Sequence, residues 1–174
     1  MVVSGPPGAG KTTLAHALAA RIGCPAICRD EIKEGMAHAT PDPAPGPRDE
    51  LSVRTLPVFF GVLDLLLRAG VTTVAEAAFQ DRLWRPGLEP LRELARLRVV
   101  HCTVDAEVAA MRIRRRREQD ARRAVHEASD PLDAAQQALL HDAFQRVAVD
   151  APWLEVDTTD GYRPGLDEIA AFVR

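Results

Sequence analysis

An α/β fold with a parallel sheet is predicted by three observations. Short apolar runs rich in valine alternate with stretches of helical period. A glycine-rich segment, GPPGAGKT, joins the first apolar run to the first helical stretch. The 174 residues, 47% hydrophobic and 27% charged, suit a single folded domain spanning 1–174.

Val2 and Val3 open the first strand, which breaks at Gly5. A helix is expected from about Lys11 to Ile22, with Leu14, Ala15, Leu18 and Ala19 on one face, stopped by Gly23 with Pro25 just beyond. A short strand near Ala26 to Cys28 leads into Arg29-Asp30 and a helix beginning near Glu31. Thr40 to Pro47 carries four prolines at alternate positions, which excludes regular helix and central strand. This stretch is expected to be a mobile loop within a variable substrate segment of approximately 36–54.

Apolar residues at 59, 62, 63, 66 and 67 predict an amphipathic helix from about Thr55 to Ala69, ended by Gly70, with Pro57 in its first turn or at a kink. Val71 to Ala77 reads as a third strand. A helix containing Leu88, Leu91, Leu94 and Ala95 precedes a fourth strand, Val99 to Val104. Asp105 is placed to cap the next helix, with Glu107 in its first turn. Leu139, Leu140, Phe144 and Val147 form another helical face, Leu154 to Val156 a fifth strand, and Gly165 to Val173 a closing helix. The expectation is five strands and about seven helices.

Charge sums to −3, from 22 basic and 25 acidic residues, so bulk electrostatics do not favour nucleic acid as a partner. No apolar run approaches the roughly 20 residues that cross a bilayer, and no membrane partner is expected. No basic region or apolar core precedes the glycine-rich loop, so no signal peptide is expected. Three cysteines, Cys24, Cys28 and Cys102, are too few and of the wrong parity for a disulfide framework, which points to a reducing, cytoplasmic setting. Cys24 and Cys28 lack a matching pair at zinc spacing, and the five histidines form no recognisable constellation. Both tryptophans read as core or turn residues.

The segment Gly5 to Thr12 satisfies G-x-x-x-x-G-K-[ST] between a strand and a helix, the setting that the motif requires. Glycines at 5, 8 and 10 permit backbone conformations that a β-carbon would block, so successive N–H groups can turn inward around an anion. The helix start adds unpaired donors and the positive end of its dipole. Lys11 supplies a mobile cation for the β- and γ-phosphates, and Thr12 a hydroxyl for Mg²⁺. Gly5, Pro7, Gly8, Ala9, Gly10, Lys11, Thr12 and Thr13 are therefore the expected nucleotide-binding residues, with ATP and Mg²⁺ as cofactors. Asp30, at the end of the second strand, is expected to face the same crevice, because ligands bind beyond the carboxyl ends of the strands in open α/β sheets. Capping of the following helix is the other reading of Asp30.

These segments together resemble the small P-loop kinases that include chloramphenicol phosphotransferase, polynucleotide 5′-kinase, gluconate kinase and the zeta toxins. The resemblance runs through GPPGAGKTTLA, the block from Asp30 to Lys33, VAEAAF (Val74 to Phe79), the arginine-rich segment after VDAEV, and VDTTDGYRP (Val156 to Pro164). It implies a three-layer α/β/α P-loop NTPase fold with five parallel strands in the order 2-3-1-4-5 and an arginine-rich helical lid near 112–130.

The resemblance also implies an enzyme that transfers the γ-phosphoryl group of Mg-ATP to a hydroxyl. Asp30 corresponds to the catalytic aspartate that takes the proton of the attacking hydroxyl, with Lys11 and Arg116 stabilising charge. Lys33, one turn from Asp30, corresponds to an acceptor contact, although a solvated helix lysine fits the residue pattern as well. Glu76 matches an acidic position that would hold an acceptor group or Mg²⁺-bound water; no separate second aspartate for the metal is evident. Arg112 would lie near the adenine, Arg116 on the phosphates and Arg123 on the substrate side of the lid, because the guanidinium fork binds phosphate oxygens bidentately. Arg114, Arg115 and Arg117 read better as a solvated face. Residues 158–161 would line the adenine pocket or form an ordinary turn.

A small hydroxylated molecule, such as an antibiotic, a sugar or a nucleoside, is the expected acceptor. Two alternatives stay open: a polynucleotide 5′-hydroxyl kinase, disfavoured because no aromatic residue interleaves the arginines, and a non-catalytic nucleotide-sensing module.

Overall fold

The structure, a computed structural model, describes residues 1–39, 50–119, 139, 141 and 143–174. Five strands form one parallel sheet: β1 (Val2–Ser4), β2 (Ala26–Cys28), β3 (Val74–Glu76), β4 (Val99–Thr103) and β5 (Trp153–Asp157). Their order is β2-β3-β1-β4-β5, as the sequence resemblance implies. The described helices are α1 (Lys11–Ile22), α2 (Arg29–His38), α3 (Glu50–Arg68), α4 (Asp81–Leu88), a 3₁₀ turn (Pro90–Glu93), α5 (Ala106–Gln119) and α6 (Leu166–Val173).

Register decides what reaches the upper rim of this sheet. Val3 of β1 and Cys28 of β2 both pair with Glu76 of β3, so the carboxylate stands at a strand end between two neighbours. Ser4 pairs with His101 of β4, and the glycine-rich loop leaves the sheet beside them.

A core on one face of the sheet gathers Leu14, Leu18 and Ala19 of α1, Val100 and Cys102 of β4, and Ile169 and Val173 of α6. Burying each such leucine contributes about 1.5–3 kcal/mol, which holds α1 against the sheet. The other core is aromatic. Phe79 packs 4.9 Å from Trp84 and 6.0 Å from Phe59, centroid to centroid, and Leu63 and Leu88 close the cluster. Phe79 is fully buried with φ of 47°, a left-handed conformation that costs a residue with a β-carbon roughly 1–2 kcal/mol. Packing of its ring offsets that cost and turns the chain sharply after Glu76.

Several boundaries differ from expectation. α3 begins at Glu50 rather than near Thr55, so Pro57 lies well inside it. The carbonyl four residues earlier belongs to Val53, which is exposed, so water can replace the missing donor. Val71 to Thr73 precede β3 without joining it. Leu88 ends α4, Leu91 lies in the 3₁₀ turn and Leu94 follows it, because Pro90 removes a donor where a longer helix would need one. Phe144 to Val147 are not helical: Val147 is buried in an irregular stretch, and Phe144 stacks 5.8 Å from His101. Trp84 is core, whereas Trp153 on edge strand β5 is half exposed beneath the Arg146 guanidinium, 4.3 Å away. The proline-rich stretch at 40–47 and Leu140 lie outside the described residues; α2 reaches His38, and helix resumes at Glu50.

Candidate active site

The loop from Gly5 to Gly10 is shaped by what surrounds it. Gly5 has φ of 148°, and a β-carbon there would stand 2.5 Å from the Cys102 carbonyl oxygen. Gly8, at φ of 80°, would meet the Ala109 carbonyl oxygen at 2.7 Å. The loop is thus pressed against the end of β4 and the start of α5 at positions where only glycine fits. The Ala9 amide donates to the Pro6 carbonyl at 3.2 Å, and Gly10, also left-handed, delivers the chain into α1. Pro7 and Thr13 face outward. Because α1 begins at Lys11, the N–H groups of Lys11, Thr12 and Thr13 have no acceptor four residues back within the helix and are available to an anion. Lys11 arches back over the loop, its Nζ donating to the Pro6 carbonyl at 3.0 Å.

Thr12 does not stand alone. Its hydroxyl donates to Glu76 Oε2 at 3.0 Å, joining the loop to the end of β3. Glu76 is 2% exposed. Burial raises its carboxyl above the usual range, the Lys11 ammonium and the Thr12 bond pull it back, and the carboxylates of Asp30 and Glu31 push it further up. Cys28, the last residue of β2, pairs with Glu76, and Asp30 follows two residues later in the first turn of α2, so its carboxylate is felt at Glu76. A hydroxyl and a carboxylate in an acidic, oxygen-rich neighbourhood are the donor set that suits Mg²⁺. Glu76, matched in the sequence to a position for an acceptor group or Mg²⁺-bound water, is bonded to the hydroxyl of the phosphate loop.

Asp30 lies in the first turn of α2 rather than on β2, and is about half exposed. Arg29 Nη1 donates to Asp30 Oδ1 at 3.0 Å, while Arg29 Nη2 reaches the Ser52 carbonyl of α3 at 3.4 Å. Arg29 was not among the residues expected at the site; its place directly before Asp30 was the available signal. Lys33, one turn on, is fully buried between α2 and its surroundings, which rules out the solvated lysine.

On the other flank, Arg112 of α5 clamps two loops together. Its Nη2 donates to the carbonyls of Thr158 (2.7 Å) and Thr159 (3.1 Å), and its Nη1 approaches Gly8 O at 3.4 Å. The Thr158 hydroxyl lies 3.0 Å from the Ala9 carbonyl, and Asp105 caps α5 through the Glu107 amide at 2.9 Å. Thr158 and Thr159 are consequently fastened through Arg112 to the phosphate loop, and Thr159 and Asp160 form a turn beyond it. Arg116 follows Arg112 by one turn on the same helix and is partly buried, whereas Arg114 and Arg115 are exposed. Arg123 and the rest of the expected lid beyond 119 lie outside the described residues.

Two clefts at the opposite, amino-terminal end of the sheet, one beside Thr73 and Arg98 and one beside Arg92 and Asp150, are far from this chemistry. Among the described residues, no helix is long and apolar enough to cross a membrane.

Residues 1–139 match the model of a family described as AAA domain. Among solved structures, a kinase candidate from Chloroflexus aurantiacus J-10-fl is 24% identical with a TM-score of 0.83, the alignment covering 99% of this chain and 95% of that one. A sugar kinase from Janibacter sp. HTCC2649 is 21% identical with a TM-score of 0.64, covering 99% and 92%. The APS kinase of Mycobacterium tuberculosis, in complex with AMPPNP and APS, is 16% identical with a TM-score of 0.61, covering 99% and 94%. These likenesses are of fold, a P-loop kinase fold. No curated protein matches the chain in sequence.

Proposed function

The chain belongs to the AAA domain family whose model matches residues 1–139, and from that premise we propose that it is a kinase. It transfers the γ-phosphoryl group of ATP to a hydroxyl of a small molecule. The observation that supports this reading is a glycine-shaped phosphate loop whose Thr12 hydroxyl bonds a buried carboxylate at the end of β3, with Asp30 two residues beyond the strand position that pairs with that carboxylate.

The acceptor hydroxyl gives its proton to Asp30 as its oxygen bonds to the γ-phosphorus; the bond from that phosphorus to the β–γ bridging oxygen breaks and ADP leaves. Phosphoryl transfer asks mainly for positioning and charge neutralisation, so one oriented carboxylate is an adequate base. Lys11 leaves the Pro6 carbonyl for the phosphates, and the amides of the loop hold the β-phosphate. Thr12 and Glu76 would hold Mg²⁺, which on binding neutralises phosphate charge. Arg116 approaches the transferring group, while Arg112 fixes the loop at 158–161 against the adenine side. Arg29 holds Asp30 in place, and Lys33 and Arg123 serve the acceptor.

A panel of hydroxylated metabolites, antibiotics and a 5′-hydroxyl oligonucleotide, incubated with γ-labelled ATP, tests the reading. Label is expected on a small acceptor with the native chain and not with Lys11→Ala. Label on the oligonucleotide would replace the small acceptor by a polynucleotide. Label transfer that survives in Lys11→Ala would remove the assignment.

A further inference from the structure

His16, Cys28 and Glu31 come from three elements, α1, the end of β2 and the first turn of α2, yet their donor atoms all lie within 4.8 Å of one another. His16 Nε2 is 2.7 Å from Glu31 Oε1 and 3.7 Å from Cys28 Sγ. We propose that these three residues bind a transition-metal ion of the zinc type, at a site separate from the one that Thr12 and Glu76 offer to Mg²⁺.

The donor set selects the metal. A thiolate and an imidazole favour Zn²⁺ and its neighbours, whereas Mg²⁺ demands oxygen ligands. Tetrahedral zinc with ordinary bond lengths separates sulfur from nitrogen by about 3.6 Å and nitrogen from oxygen by about 3.4 Å. The 3.7 Å pair already matches, and the 2.7 Å pair needs only a rotation of Glu31 away from the ring. Such a rotation is cheap because the His16 and Glu31 side chains are 52% and 45% exposed. Their exposure also gives an entry path and leaves a fourth position open to water.

Cys28 supplies the fixed point: it is 2% exposed, at the carboxyl end of a strand paired with Glu76. Burial and the carboxylates of Glu76 and Glu31 keep its sulfur protonated. An arriving cation replaces the proton on the Cys28 sulfur, and the same carboxylates then attract the cation. The ion would clamp α1 to the turn that presents Arg29 and Asp30. No sequence pattern reveals the set, since His16 lies twelve residues before Cys28 and the ligands meet only through the fold.

The test uses the metal-free full chain with Co²⁺ as the optical probe and Zn²⁺ as competitor, in excess Mg²⁺. One equivalent is expected to give a thiolate-to-cobalt absorption band that Zn²⁺ displaces and Mg²⁺ does not. His16→Ala and Cys28→Ser are each expected to weaken binding at least tenfold, and Cys24→Ser to leave it unchanged. Since His16 and Glu31 are surface residues, His16→Ala and Glu31→Gln carry the test if Cys28→Ser does not fold. Absence of the thiolate band, equal affinity in His16→Ala, or displacement by Mg²⁺ would overturn the proposal. None of these readouts involves phosphoryl transfer, so the site stands or falls independently of the kinase reading.

Discussion

Thr12 and Glu76, 64 residues apart in the chain, meet through a 3.0 Å hydrogen bond that joins the phosphate loop to the end of β3. Burial keeps the Glu76 carboxyl above its ordinary value of 4.5 in the folded chain. Between the unfolded and the folded value, the folded chain holds this proton more often than the unfolded chain does. The stability tied to that proton is fully present below the unfolded value and is lost as the pH rises through the folded one. Glu76→Gln removes this titration. In thermal melts from about pH 5 to about pH 8, the variant's advantage over the native chain is expected to widen with pH. Mg²⁺-dependent transfer is expected to fall roughly 10–100-fold, as for loss of a metal-supporting group. A gap that does not change with pH would refute the account of Glu76.

Arg112 makes its shortest bond to the Thr158 carbonyl, at 2.7 Å, and touches the phosphate loop at Gly8. Arg112→Ala is expected to weaken nucleotide binding about tenfold, a loss of roughly 1.4 kcal/mol, with little effect on the rate at saturating ATP. Arg112→Lys is expected to restore little, because an ammonium lacks the fork that reaches two carbonyls at once. Titration with a fluorescent ATP analogue measures both; native affinity in Arg112→Ala would show that the clamp is not needed for nucleotide binding.

Much of the fold was legible because its signals are local. Gly23 ends α1, its N–H donating a hydrogen bond to the Ala19 carbonyl at 2.9 Å, and Asp105 caps α5, as their residue types imply. Pairings set by register were not legible. Glu76 reads as an isolated carboxylate in an apolar strand until β3 is laid beside β1, which brings it to Thr12. Lys33 could be an acceptor contact or a solvated lysine from the sequence, because helical spacing does not say what covers α2 and buries it. Pro57 misleads in the other direction: an exposed turn around Val53 lets the helix run through it.

Gly8 lies with φ of 80° where a β-carbon would come within 2.9 Å of the Ala109 Cα and Cβ. Gly8→Ala must strain the loop or push α5 away. A stability loss of about 1–3 kcal/mol is expected in urea denaturation, together with loss of nucleotide binding. Native stability and affinity would show that the loop has slack which its packing does not suggest.

Asp30→Asn tests the chemistry most directly, because it removes the proposed proton acceptor while keeping its size and leaving the phosphate loop unchanged. With γ-labelled ATP and the accepted substrate, the transfer rate is expected to drop about 10²–10⁴-fold, while ATP affinity stays within a factor of about three. Transfer at the native rate would contradict the account.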